Sequence, residues 1–217
     1  MVPVILDVDG TLVDSNFQHA LTWHRAFAQH GRDIPAWRTH RSIGMGADML
    51  VPALAGEEWA REHGDEASDT ESSLFRDLIA NVRALPAARA FLETLKTRGH
   101  PMVIGSSSNQ QDLDVYLDLL GARDLVDAWT VSDDVERTKP KPDLIKAALD
   151  KLGGPDGAVM VGDSVYDVEA AHAAKLPVIA LLTGGFGAQE LRDAGAECVV
   201  EDLLELLGKL DETPLGR

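Results

Sequence analysis

Short aliphatic and β-branched runs occur at residues 2–8, 102–105, 158–162 and 178–182, each bounded by turn residues. Runs of this length read as buried strands. Between them lie segments whose apolar residues return every three to four positions: 87–98 ahead of Gly99, 110–120 ahead of Gly121, and 142–152 ahead of Gly153. That period, with glycine just past the end, predicts helices. Strand and helix in alternation predict a doubly wound, mostly parallel α/β sheet, with functional groups gathered at the carboxyl ends of its strands.

The pattern breaks between residues 15 and 81, where Phe17, Leu21, His24 and Phe27 keep a helical period up to Gly31 and no strand is evident. We expect two units, a core from 1–14 and 82–217 and a small helical insertion over 15–81. Trp23, Trp37 and Trp59 all fall inside the insertion, as expected if a small helical unit draws its core from large side chains. Residues 211–217 read as a frayed tail.

A chain of 217 residues is long enough for one good core with a smaller accessory unit. Its net charge of −16 repels nucleic acid and anionic lipid surfaces, so neither is an expected partner, and nothing in the sequence names a protein partner. The same field repels a phosphate ester. An anionic substrate would therefore need a local inversion of charge by a cation or a few basic side chains. Cys198 is the single cysteine, which excludes an internal disulfide and fits a reducing compartment. The first apolar run leads at once into Asp7 and Asp9, with no basic segment before it, so no signal peptide is expected. The expected location is the cytoplasm.

Four clusters carry candidate chemistry. The first strand ends in Asp7-Val8-Asp9-Gly10-Thr11, and strand alternation turns both carboxylates to one side. Two such groups in one space imply a bound cation or an acid/base pair, and the amides of Gly10 and Thr11 could face an anion. The second strand runs into Ser106-Ser107-Ser108-Asn109, which offers hydroxyl and backbone donors to phosphate oxygens, or only a helix cap. In Thr138-Lys139-Pro140-Lys141-Pro142 the prolines stiffen a loop on which either lysine could supply the missing cation, or simply be solvated. The third strand ends in Gly162-Asp163-Ser164 with Asp167 four residues beyond Asp163. If a helix starts there, both carboxylates share one face, and a divalent cation would relieve their repulsion; Asp163 as a plain cap is the alternative. The seven histidines form no metal-ligand pair and read as surface or satisfied groups, and the run Gly184-Gly185-Phe186-Gly187 reads as loop.

Taken in order, these clusters resemble the haloacid dehalogenase superfamily, in its phosphoglycolate phosphatase and β-phosphoglucomutase-like branch. The segment from Asp7 to Ser15 is similar to its first motif, Ser106 to its second, Lys139 to its third, and Gly162-Asp163-Ser164 with Asp167 to its fourth. The resemblance spans essentially the whole chain and implies that residues 15–81 are a helical cap. It further implies a magnesium-dependent phosphatase acting on a small phosphorylated metabolite. Asp7 would be the nucleophile and Asp9 the acid/base. Asp7, Asp9 through its carbonyl, and Asp163 would hold Mg2+ with support from Asp167. Gly10, Thr11, Ser106, Ser107 and Lys139 would bind the phosphoryl group. Asp14 and Ser15 would start a hinge or cap a helix, and Arg41 is the residue singled out in the cap for substrate contact. A phosphomutase shares every one of these core residues. A carbon-attacking dehalogenase needs no leaving-group acid, so Asp9 with Gly10-Thr11 argues against it, and the joint retention of Asp7, Asp9, Lys139 and Asp163 argues against a catalytically silent binding module.

Overall fold

A computed structural model of the chain describes residues 1–155 and 157–216. In chain order its elements are β1 (Val4–Leu6), β2 (Val13–Asp14), α1 (Asn16–Gln29), α2 (Ala36–His40), α3 (Ala47–Ala55), α4 (Glu57–Leu78), β3 (Arg83–Ala84), α5 (Ala88–Arg98) and β4 (Met102–Gly105). They continue with α6 (Gln110–Leu120), β5 (Ala128–Thr130), α7 (Asp143–Lys151), β6 (Val159–Gly162), α8 (Val165–Ala173), β7 (Val178–Leu181), α9 (Ala188–Ala194), β8 (Cys198–Val200) and α10 (Leu203–Gly208). Six strands form a parallel sheet in the order β5-β4-β1-β6-β7-β8. The fold is therefore the mostly parallel, helix-covered sheet that the alternation predicts.

Alternation along each strand divides the sheet into two dry faces. Leu6, Ile104 and Val161 pack with Phe91 of α5 and Leu113 of α6. Ile5, Val103 and Met160 pack with Ile145 of α7 and Val168 of α8. Burying one aliphatic or aromatic side chain of this size contributes roughly 1.5–3 kcal/mol, and both faces hold them in layers. The edge strands β5 and β8 have three residues each, too few to show a period in the sequence.

Helices α1 to α4 surround a separate cluster that includes Trp23, Phe27, Ile43 and Leu50, with Trp59 packed against it. Trp37 departs from expectation: its side chain is 68% exposed. The chain passes to and from these helices through the antiparallel ribbon β2-β3, where Asp14 pairs with Arg83. The C-terminal segment is also a correction. Leu210 and Leu215 are buried in the core cluster beside α10, and short 3-10 turns at Leu210–Glu212 and Pro214–Gly216 carry them there. Two leucines spaced to dock outweigh the polar residues between them. Arg217 lies outside the described residues. No described helix is long and apolar enough to cross a membrane.

Candidate active site

The sheet order reverses at β1: the chain adds β4 and β5 on one side of it, then returns to add β6, β7 and β8 on the other. A crevice opens beyond the carboxyl ends of strands at such a point, and Asp7 stands there, its amide donating to the Val161 carbonyl at 3.0 Å. Lys139, on the loop before α7, is completely buried. Its Nζ donates to Asp7 Oδ1 at 2.5 Å and to Asp167 Oδ1 at 2.8 Å. The alternative of a solvated Lys139 is thus set aside.

Asp163 lies beneath the same group, accepting from Thr11 Oγ1 at 3.0 Å and from Asn16 Nδ2 at 2.9 Å. It does not share a helical face with Asp167. Helix α8 begins at Val165 with Ser164 as its cap, and Asp167 closes the capping box by accepting from the Ser164 amide and hydroxyl. Polar side chains one and two residues before the helix start, Ser164 and Asp163, compete to cap it, and the serine wins. Two loops press on Asp163: a Cβ on Gly10, whose φ is +75°, would fall 2.3 Å from Asp163 Oδ2, and one on Gly184 would fall 1.9 Å from it. The glycine run after β7 thus has a packing role that loop composition alone does not reveal.

Carboxylate oxygens of Asp7, Asp163 and Asp167 lie within 4.8 Å of one another, and one ammonium, that of Lys139, pairs with two of them, Asp7 and Asp167. Burial first, and then the neighbouring carboxylates, push Asp7 up to about 7 against the pull of Lys139. Burial likewise drives Asp163 well above the usual carboxylate range, with Asp7 and Asp167 adding to it. Burial alone would lower Lys139, but Asp167 and Asp7 hold it above its ordinary value. The cluster is short of positive charge. Asn16 Oδ1 is buried beside it without a partner, and an all-oxygen donor set of this kind suits a hard divalent cation. The three aspartates are placed to hold one.

Asp9 lines the same cavity as Asp7 but has its own set of partners. Its carboxylate accepts from Ser15 Oγ at 2.5 Å and Ser108 Oγ at 2.6 Å, and lies 3.3 Å from His19 Nε2. His19 Nδ1 meets Glu71 at 3.1 Å, and its ring stacks on Phe75 at 3.7 Å between centroids. Burial opposes a charged imidazole here, but the bonds to Asp9 and Glu71 outweigh it and raise His19 to about 10. Burial would raise Asp9 too, and the His19 bond and charge reverse this, holding it below the usual range. Reading the histidines as surface or satisfied groups leaves His19 without a place in the site, although it is bonded on both nitrogens; its only sequence signal is its place one turn into α1, just after Ser15. His24, on the Ile34 carbonyl, fits that reading; His100 is buried, with Nδ1 on the Val2 carbonyl and Nε2 without a partner among the described residues.

The His19 pair has a definite pH signature. His19 has a raised folded value, so its contribution is full below about 6.5, its unfolded value, and fades as pH climbs toward about 10. Asp9 is depressed, so its contribution is lost only in acid. His19→Gln should therefore cost roughly 3 kcal/mol near pH 6 and progressively less toward pH 10, as measured by urea unfolding. A cost independent of pH would show that His19 is neutral in the folded protein.

A cavity of about 390 Å³ opens above these groups, with Asp7, Asp9, Ser107 and Lys139 at its walls together with Trp23 and the turn Gly44-Met45-Gly46. The insertion reaches down onto the core around it: Ser107 Oγ donates to the Gly44 carbonyl, and the Gly46 amide donates to Thr138 Oγ1. Other expected contacts differ. The amides of Gly10 and Thr11 are used inside their own turn, on the carbonyls of Val13 and Val8, so neither faces an anion. Ser106 is buried, its hydroxyl accepting from the Ser108 amide. Arg41 is not at the cavity wall; its guanidinium pairs with Glu190 at 2.6 Å and sits 4.0 Å over the Phe186 ring. A carboxylate in the first turn of α9 and an aromatic face outcompete the cavity for this arginine.

A buried carboxylate at the switch point of a parallel sheet, clamped by lysine beside an oxygen-rich cation site and facing a second carboxylate, defines a hydrolase of the phosphatase type. The sequence profile of the haloacid dehalogenase-like hydrolases matches residues 4–175. Phosphoglycolate phosphatase of Rhodospirillum rubrum is 31% identical over 214 residues, covering 94% of this chain and 88% of that protein. A hydrolase of Pseudomonas syringae superposes with a TM-score of 0.92 at 34% identity, covering 98% of this chain and 99% of its own. CbbY of Rhodobacter sphaeroides, solved with xylulose-(1,5)bisphosphate, shares the fold at a TM-score of 0.75 and 23% identity over 95% of this chain and 96% of its own. The chain belongs to the haloacid dehalogenase-like hydrolase family.

Proposed function

We propose that the chain is a cytoplasmic, magnesium-dependent phosphatase that hydrolyses a small phosphorylated metabolite through an aspartyl-phosphate on Asp7. The observation that carries this reading is Asp7 itself, buried at the cavity floor with Lys139 at 2.5 Å and two further carboxylates around it. Asp7, Asp163 and Asp167 would hold magnesium, which offsets the repulsion between an anionic nucleophile and an anionic ester.

The Asp7 carboxylate attacks phosphorus, the P–O bond to the alcohol breaks, and the leaving alkoxide takes a proton. That proton resides on His19 in the resting site. Asp9 takes that proton from the imidazole and, now protonated, gives it to the alkoxide, which leaves Asp9 ionised and His19 neutral. In the second step Asp9 takes a proton from water and returns one to His19 while the acyl phosphate is cleaved, so the pair ends as it began. Lys139 steadies Asp7 and the charge on the transferring oxygens. Residues 15–81 act as a cap that excludes bulk water when its Gly44–Gly46 turn meets Ser107 and Thr138.

The reading is tested by incubating purified protein with magnesium and a panel of small phosphate esters and assaying released phosphate. Release that stops on chelation and returns with added magnesium is expected. Release unchanged by chelation would remove the metal from the mechanism, and inertness toward every ester, including acetyl phosphate, would remove the phosphatase.

A further inference from the structure

The net charge of −16 means that each anionic group of a substrate needs its own local cation. One phosphoryl group is provided for, by Lys139 and by the divalent cation that the aspartate triad would hold. Lys139 and His19 are the only cationic side chains among the described residues lining the cavity. Both are engaged, Lys139 with Asp7 and Asp167 and His19 with Asp9 and Glu71.

The rest of the wall, where the leaving group must lie, is acidic. Asp48, Glu71 and Asp112 line it, and Asp133 and Glu136 stand exposed at the rim. Asp112 is pushed up to about 6 by burial and by Asp9 and Glu71, so it is largely ionised at neutral pH. Hydroxyls of Ser68, Ser72 and Ser132 stand among these acids, and Trp23 and Val135 add apolar surface. Arg76 lies outside this lining, in the adjoining outer cleft that Asp69, Asp112 and Asp133 also line. The wall offers acceptors in excess and no free cation.

From this lining we infer that the substrate is a phosphate monoester whose alcohol carries hydrogen-bond donors, hydroxyl or ammonium, and no second anionic group. The inference rests on the phosphatase reading and deepens it. A carboxylate two atoms from the ester oxygen, as in 2-phosphoglycolate, meets like charge at the wall, and so does the second phosphate of a sugar bisphosphate. A like-charge contact at about 5 Å in a partly screened site lowers binding by roughly 100-fold. The relatives' named substrate is therefore disfavoured by this chain's own cavity, and so is the bisphosphate that a phosphomutase requires.

The test is a size-matched series with magnesium present: 2-hydroxyethyl phosphate, 2-aminoethyl phosphate and 2-phosphoglycolate, with acetyl phosphate reporting the Asp7 chemistry alone. The hydroxyl or ammonium ester should exceed 2-phosphoglycolate by about 100-fold in kcat/KM. Removing wall charge in Asp112→Asn or, at the exposed rim, Glu136→Gln should shift the ratio toward 2-phosphoglycolate by roughly tenfold or less. Turnover of acetyl phosphate with 2-phosphoglycolate preferred would overturn the inference and leave the phosphatase standing. A preference that neither substitution moves would overturn it as well, because the acidic wall would not be its cause. Loss of acetyl phosphate turnover would strike the phosphatase reading itself.

Discussion

Asp7→Asn is expected to reduce phosphate release by about 10⁴-fold or more while leaving the fold intact. The amide oxygen can still accept the Lys139 bond, but it cannot attack phosphorus to form an acyl phosphate. The same substitution has a stability signature in metal-free protein. Asp7 is raised to about 7 in the fold, from an ordinary 3.8, chiefly by burial. Its sign is opposite to that of a salt-bridged carboxylate: the folded state binds the proton more tightly, so wild-type stability falls as pH rises from about 4 toward 7. Asp7→Asn lacks this slope and should be at least as stable as wild type at pH 8 without magnesium. Urea unfolding at several pH values, beside phosphate release, reads both effects. Residual turnover within tenfold of wild type would remove Asp7 as nucleophile, and a variant that unfolds more easily at pH 8 would show that its carboxylate is held by favourable contacts instead.

Much of this arrangement is legible in the sequence because it lies at strand ends, where local order and chemistry coincide. Asp7 follows a β-branched run, Asp163 follows another, and the alternation of strands and helices brings both to one crevice before any long-range contact is known. What the sequence hides is long-range. Glu71 lies 52 residues from His19, on a helix whose pattern gives no sign that one acid turns inward, so the charged imidazole is invisible until α1 and α4 are packed. Arg41 fails for a related reason. Its partner Glu190 lies 149 residues away, and an arginine near a cavity is drawn to whichever carboxylate the fold supplies. The choice between Asp163 and Ser164 as the cap of α8 depends on where the helix begins, and one residue at that boundary separates a metal-facing carboxylate from a capping one.

Lys139 is the residue whose loss the core should tolerate least. It is buried with no exposed surface and holds Asp7 and Asp167 together. Its folded value is raised above the ordinary lysine range by those two carboxylates, so its contribution is complete below about 10.4 and is lost only in strong base. At neutral pH all of it is at stake. Lys139→Met keeps the volume but leaves two buried carboxylates without their ammonium, a change that costs about 3–5 kcal/mol and should lower the melting temperature of metal-free protein by roughly 10 °C. Magnesium then replaces part of the missing charge, so the metal should raise the melting temperature of the variant by more than it raises that of wild type. Activity should remain about 10³-fold down even with magnesium, because the metal does not restore the donor that steadies Asp7 and the transferring oxygens. Thermal melts with and without magnesium, beside phosphate release, separate the two roles. A variant as stable as wild type in the absence of metal would mean that the carboxylates share protons instead of relying on Lys139.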